Sequence, residues 1–181
     1  MKKLVMIFAF VVSVSVGLNA GNLSDDEFNE LKNDCLGNEN KDSCQRLVDS
    51  GQLISVKQCG DKNTCAGIGF VYDLTKNYQQ SFQYFNKACK LNDEIACFNV
   101  GLSYTEGQGI RQDYAKAKTY FEKGCNLNGA SACFNLGHFY FDGRGVRQNK
   151  SMAKEYFGKA CDLGNQDGCH NYKILNEQGI Q

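Results

Sequence analysis

Cysteine recurs in this chain on a 36-residue rhythm, and that rhythm limits the fold more than any other feature. The stretch CFNVGLSYTEGQGIRQDYAKAKTYFEKGC, Cys97 to Cys125, returns as CFNLGHFYFDGRGVRQNKSMAKEYFGKAC, Cys133 to Cys161. Superposing the copies places Gly101 on Gly137, Tyr104 on Tyr140, Gly107 on Gly143, Gly109 on Gly145 and Phe121 on Phe157. A fixed period of this length marks a solenoid, because one repeat cannot bury its apolar face without neighbours to stack on.

Each copy reads as two helices. Ala132, Cys133, Leu136, Gly137 and Tyr140 share one side of a helix, and the glycines of Asp142–Gly145 stop it by offering a left-handed closing residue. A second helix starts near Asn149, with Ala153, Tyr156, Phe157 and Ala160 on one side and Lys150, Lys154 and Lys159 mostly on the other. Gly101 and Gly137, set inside helical patterns, cost about 1 kcal/mol each against alanine. Close helix packing is the expected compensation.

The chain opens with Met1, Lys2 and Lys3, then an uncharged apolar run, then Leu18-Asn19-Ala20. This is a secretory signal peptide over 1–20: the run is shorter than the roughly 20 residues of a spanning helix, and Ala20 is the small residue expected at a cleavage site. The mature protein is expected to be soluble, without stable membrane insertion, and exported to the periplasm or secreted.

Export decides how the ten cysteines are read, since an even count at regular spacing in an oxidising compartment means disulfides. Cys89–Cys97, Cys125–Cys133 and Cys161–Cys169 all have C-x₇-C spacing, and equivalent units should pair equivalently. Spacing alone also admits Cys97 with Cys125. The short loop is preferred because Cys35–Cys44 and Cys59–Cys65 then complete the series with no cysteine left over. In the chain-entropy account each such loop contributes about 2.5 kcal/mol at most. Structural zinc is disfavoured: no C-x₂-C occurs, and His138 and His170 lack partners at ligand spacing. No metal and no cofactor are expected.

Around the two full copies the pattern degrades in a readable way. Ser24-Asp25-Asp26-Glu27 is a capping box opening a lead helix that carries Phe28 and Leu31. Segments near Gln45–Asp49 and Leu53–Gln58, broken at Gly51, look like a truncated hairpin. Cys65–Cys89 keeps Gly69, Tyr72, Tyr84, Phe85 and Ala88 but is four residues shorter, with Asp73-Leu74-Thr75-Lys76 in place of the Gly-x-Gly turn. Cys169 opens a last helix through Gln178, where Lys173 replaces the repeat glycine and gives a capping helix a polar outer face. The expected layout is signal peptide 1–20, lead helix and degenerate repeat 21–64, repeats 65–168 and capping helix 169–181. With no proline and no low-complexity linker, the mature part is expected to be one continuous domain.

Without Lys2 and Lys3 the chain carries 18 basic against 20 acidic residues, a net charge of −2, which argues against nucleic-acid binding. The basic runs Arg111, Lys116, Lys118 and Arg144, Arg147, Lys150, Lys154 recur with the repeat as solvated helix faces.

The unit of alanine, glycine, tyrosine, Gly-x-Gly, Lys-Ala and Tyr-Phe resembles the Sel-one-like repeat, a relative of the tetratricopeptide repeat. With the C-x₇-C pair behind a signal peptide, it further resembles the Helicobacter cysteine-rich protein family, most closely over Cys65–Cys169. The resemblance implies an all-α, right-handed α/α solenoid held by disulfides between consecutive helices. It also implies penicillin binding with slow β-lactam hydrolysis, and secreted proteins that engage host cells. The residues support a hydrolase poorly. Ser151-Met-Ala-Lys154 fits Ser-x-x-Lys, but Ser-Asp-Asn and Lys-Thr-Gly are missing, and Ser151 and Lys154 occupy the ordinary positions of Ala115 and Lys118. No catalytic residue is assigned.

A binding surface is the favoured reading. Stacked hairpins expose an extended concave face lined by their first helices. There Asn99, Asn135 and Asn171 recur every 36 residues, and each amide offers a donor and an acceptor suited to a peptide backbone or a carboxylate. Glu106, Asp142 and His138 fall on the same sector. These six are the candidate ligand-binding residues, for a peptide, a partner protein or a peptidoglycan fragment, with a β-lactam as the alternative; the Asn row could equally bridge helices inside the stack. Tyr104, Tyr120, Phe121, Tyr140, Tyr156 and Phe157 lie on the apolar side and are assigned to the core, while Phe98 and Phe134 either shield disulfides or face the groove.

Overall fold

A computed structural model of the chain describes residues 23–53 and 58–181. The signal peptide expected over 1–20, and residues 54–57 of the helical segment expected near Leu53–Gln58, lie outside the described residues. Among the described residues there are nine α-helices and no strand, and no helix is long and apolar enough to cross a membrane. The described residues fall into two compact units, 23–53 and 58–181.

The first unit contains α1 (Asp25–Asn38) and α2 (Lys41–Asp49). Ser24 and Glu27 form the reciprocal capping box that starts α1. Asp34 gathers the turn that follows, accepting from Ser43 Oγ at 2.5 Å, Asn40 Nδ2 at 2.7 Å and Asn38 Nδ2 at 2.9 Å. The Ser43 bond foremost holds its carboxyl below the usual range. Leu31, Cys35, Cys44 and Leu47 make the small core, and Gln52 clamps both backbone groups of Leu23.

The second unit is three helical hairpins and a closing helix: α3 (Lys62–Leu74) with α4 (Tyr78–Lys90), α5 (Glu94–Glu106) with α6 (Tyr114–Asn126), α7 (Ala130–Asp142) with α8 (Lys150–Asp162), then α9 (Gln166–Glu177). Helices pack mainly on their chain neighbours, and the first helices α5 and α7 also touch each other. This is an all-α repeat solenoid. Asp61, Asp93, Asp113, Asn149 and Asn165 each cap a helix by accepting from the backbone N–H three residues on.

One contact is repeated in every hairpin. Phe85, Phe121 and Phe157 on the second helices are at most 2% exposed, and their rings lie on Gly69, Gly101 and Gly137 of the first helices. A methyl group at Gly101 would stand 2.5 Å from Phe121 Cε1, and one at Gly137 would stand 2.6 Å from Phe157. The glycine therefore trades helix propensity for a buried ring worth about 1.5–3 kcal/mol. Stacked tyrosines sit beside it: Tyr72 on Tyr84, Tyr104 on Tyr120 and Tyr140 on Tyr156, with centroids 5.4, 5.6 and 5.5 Å apart.

The turns are set by what lies beneath them. Gly107 and Gly143 close α5 and α7 in the left-handed conformation. Gly109 and Gly145 also have positive φ and press on the starts of the preceding second helices, where a Cβ would overlap the Tyr78 backbone or stand 2.8 Å from Tyr114. The shorter first hairpin differs from the expected turn. Asp73 and Leu74 continue α3, and only Thr75, Lys76 and Asn77 link it to α4, with Lys76 at φ 60°.

Every cysteine is in a disulfide. Cys89–Cys97, Cys125–Cys133 and Cys161–Cys169 join the end of one second helix to the start of the next first helix, with Cα atoms 4.6, 4.6 and 4.4 Å apart. Cys35–Cys44 ties α1 to α2, and Cys59–Cys65 ties the start of α3 to the segment before it. Eight of these cysteines are at most 1% exposed, whereas Cys161 and Cys169 are partly exposed.

Candidate functional site

The first helices carry one repeated row of side chains. On α5 it is Ile95, Asn99, Leu102 and Glu106; on α7, Ser131, Asn135, His138 and Asp142; on α9, Asp167, Asn171 and Ile174. Spacings of four, three and four residues keep each set on one helix face, and the 36-residue period brings the sets into register. Ile95 is 51% exposed and Ile174 is 37% exposed. The row thus mixes amides, acids and exposed apolar side chains.

The candidate residues have different local roles. Asn99 and Asn135 are half-buried, and their amide nitrogens donate to carbonyls one turn back, Ile95 at 2.9 Å and Ser131 at 3.0 Å. Glu106 and Asp142 are exposed, and Asp142 pairs with Arg144 at 3.0 Å. Asn171 and His138 come together across the hairpin boundary, with Nδ2 and Nε2 3.5 Å apart. Glu106 and Asn99 stay on α5, away from that pair.

His138 is half-buried among rings, edge-on to Phe134 at 4.7 Å and to Phe157 at 5.0 Å. Burial pushes its pKa below the ordinary imidazole value, and Arg144 adds to the shift while Asp142 opposes it. The neutral ring has one donor and one acceptor nitrogen. With Nε2 as the acceptor, Asn171 Nδ2 donates to it, Nδ1 carries the proton, and Asn171 Oδ1 is left to accept from elsewhere.

Beside this pair a cavity of about 150 Å³ opens between α7, α8 and α9, lined by His138, Phe141, Phe157, Asn171, Ile174 and Leu175. Phe157 and Leu175 are each 2% exposed. Sequence reasoning singled out His138 and Asn171 but not Phe141, Ile174 or Leu175 as part of a site. The available signal was departure from the repeat: His138 stands where the previous copy has Leu102, and Phe141 where it has Thr105. A wider depression along α4, at Phe82, Gln83, Asn86, Lys87 and Lys90, draws on a single helix.

Ser151 and Lys154 do not form a nucleophile and base. Ser151 is exposed in the first turn of α8, while Lys154 Nζ donates to the Ile180 carbonyl at 2.5 Å and lies 5.7 Å over the Tyr172 ring. Its ammonium is committed to the Ile180 carbonyl, so Lys154 is not placed to serve the hydroxyl as a base. Among the described residues no group of three or more His, Cys, Asp or Glu side chains is placed to hold a metal.

Comparison with known proteins agrees with this architecture. The Sel1 repeat model matches residues 65–93, 95–129 and 130–165, one match for each hairpin. Cysteine-rich protein B of Helicobacter pylori is 30% identical over 84% of this chain and 98% of its own, with a TM-score of 0.52. A Sel1 repeat protein from Oxalobacter formigenes, 24% identical, superposes with a TM-score of 0.67 over 80% of this chain and 61% of its own. The protective antigen c5321 of uropathogenic Escherichia coli, 22% identical, gives 0.68 over 85% of this chain and 34% of its own. Among curated relatives, HcpC of Helicobacter pylori, whose name proposes a β-lactamase, is 39% identical over 52 residues. That match spans 29% of this chain and only 18% of HcpC. With three consecutive matches over more than half its length and a cysteine-rich relative covered almost end to end, the chain belongs to the Sel1 repeat family, beside the Helicobacter cysteine-rich proteins.

Proposed function

We propose that this chain is an exported, disulfide-held scaffold that binds a polypeptide partner on the face formed by α5, α7 and α9. Sel1 repeats are an interaction scaffold, and five disulfides suit an oxidising compartment outside the cytosol. The observation that carries the reading is the row itself. Asn99, Asn135 and Asn171 recur once on each of α5, α7 and α9, with exposed Ile95 and Ile174 on the first and last of these helices, a pattern that suits amides meeting an extended backbone while apolar side chains meet its substituents. The β-lactamase named for HcpC finds no matching chemistry at Ser151 and Lys154, and the short HcpC match carries no activity across to this chain.

The test is site-specific photo-cross-linking in the native host. A benzophenone side chain at position 95 or 131, on the first helices, should yield one shared protein adduct. The same group at position 155, exposed on α8, should not. Changing Asn99, Asn135 and Asn171 together to alanine should weaken binding of that partner by about tenfold or more while leaving helicity intact. Equal adducts from both faces, or unchanged affinity in the triple variant, would overturn the proposal.

A further inference from the structure

We propose that the cavity between α7, α8 and α9 is a recognition subsite for one aromatic ring, supplied by a phenylalanine of the bound polypeptide. This inference rests on the binding face proposed above and gives it a sequence preference.

The cavity's size is the first argument. At about 150 Å³ it matches an apolar cavity that takes one benzene-sized ring. Its lining is the second. Phe141, Phe157 and the His138 imidazole present rings, and Ile174 and Leu175 supply aliphatic contact. The rings already in place use edge-to-face geometry, His138 against Phe134 at 86° and against Phe157 at 76°, which a further ring can extend.

The polar pair at the cavity argues for a polypeptide rather than a free hydrocarbon. Asn171 and His138 satisfy one another through Nδ2 and Nε2, leaving Asn171 Oδ1 as an acceptor. A backbone N–H at the residue that donates the ring meets that acceptor, and toluene has nothing to offer it. Burial among the phenyl rings disfavours the protonated form of His138. Asp142 and Arg144, the charged groups nearest the imidazole, pair with each other at 3.0 Å. The site is specific to this junction: the previous copy, with Leu102 and Thr105 in place of His138 and Phe141, has neither the imidazole nor the ring.

The experiment uses the oxidised full mature chain and four probes: N-acetyl-phenylalanine methylamide, its leucine and alanine counterparts, and toluene. Chemical shifts of the His138 imidazole and the Asn171 side-chain amide are followed by NMR. The phenylalanine probe should give saturable shifts at both groups and bind about ten- to a hundredfold tighter than the alanine probe. Ile174→Trp, at a position 37% exposed, should fill the cavity and remove the shifts without loss of fold. His138→Leu, which restores the residue of the previous copy, should keep ring binding but erase the advantage of capped phenylalanine over toluene. Equal binding of the alanine and phenylalanine probes, a tighter leucine probe, or shifts that survive Ile174→Trp would overturn the subsite. Toluene binding as tightly as capped phenylalanine to the unaltered chain would overturn the polypeptide source. A cross-linked partner retained in full by Ile174→Trp would sink this subsite and leave the face standing. Loss of adducts specific to the first helices would remove the face itself.

Discussion

His138 is the residue at which structure and chemistry meet most closely. Its place in the repeat belongs to leucine in the copy before it, so an ionisable ring occupies a position built for an apolar one. Burial lowers its folded pKa below the unfolded value near 6.5. The sign of the pH effect follows. Above about pH 6.5 both states hold a neutral ring and nothing is lost; below it the unfolded chain takes a proton that the folded site resists, so stability falls until the lower folded pKa is reached. Thermal stability should therefore decline as pH falls below about 6.5, and His138→Leu should flatten that decline. The carboxylates held below their usual range, Glu27, Asp34, Asp61 and Asp113, lose their contribution at lower pH, while Asp73, raised by burial, becomes less costly as pH falls; these are common to both proteins, so the difference between them reports His138. Melting curves with equal slopes against pH for the two proteins would refute the assignment.

At the scale of the helices, the glycine and phenylalanine contact decides how tightly each hairpin closes. Propensity alone says that Gly101→Ala should stabilise α5 by about 1 kcal/mol. The structure says the reverse: the new methyl would meet a Phe121 ring that is fully buried and held by Phe98 and Phe139, with centroids at 6.0 and 5.2 Å. Gly101→Ala should cost about 1–3 kcal/mol in chemical denaturation, and a more stable variant would show that the ring has room to move. Much of this was legible in the sequence, where the repeated glycine in a helical pattern already pointed to a close neighbour and periodicity gave the helices. The identity of that neighbour was not, because Phe121 and Tyr120 are adjacent aromatics on one apolar side and only packing separates the ring under the glycine from the ring stacked on Tyr104. The short turn after α3 escaped for a different reason: aligning it to the longer copies assigned Asp73 and Leu74 to a loop, while the backbone continues the helix through both. The cavity was hidden too, since its walls come from three helices and from departures from the repeat rather than from the repeat itself.

At the scale of the stack, each helix of the second unit leans on its neighbours in sequence, so stability is a sum of hairpin and junction terms and a helix with one main packing neighbour is held least. Among the described residues α9 packs mainly on one neighbour, α8. Helix α9 contributes Leu175 to a small cluster with Ala153 and Phe157, is followed by Ile180, whose carbonyl accepts from Lys154, and is tied to α8 by Cys161–Cys169. That disulfide differs from the other four in having both sulfur-bearing residues partly exposed, whereas the rest are sealed in the interior. A reductant attacks the sulfur it can reach, and buried disulfides wait for local opening. Limited treatment with a phosphine followed by alkylation should therefore label Cys161 and Cys169 well before the other eight cysteines. Hydrogen exchange in the singly reduced protein should show protection lost across α9 and kept across α5 and α6. The consequence reaches function, because Asn171, Ile174 and Leu175 all lie on α9 and the cavity cannot survive its release. Simultaneous labelling of all ten cysteines, or uniform loss of protection, would mean that the stack opens as a single cooperative block and that the last disulfide holds no separate element.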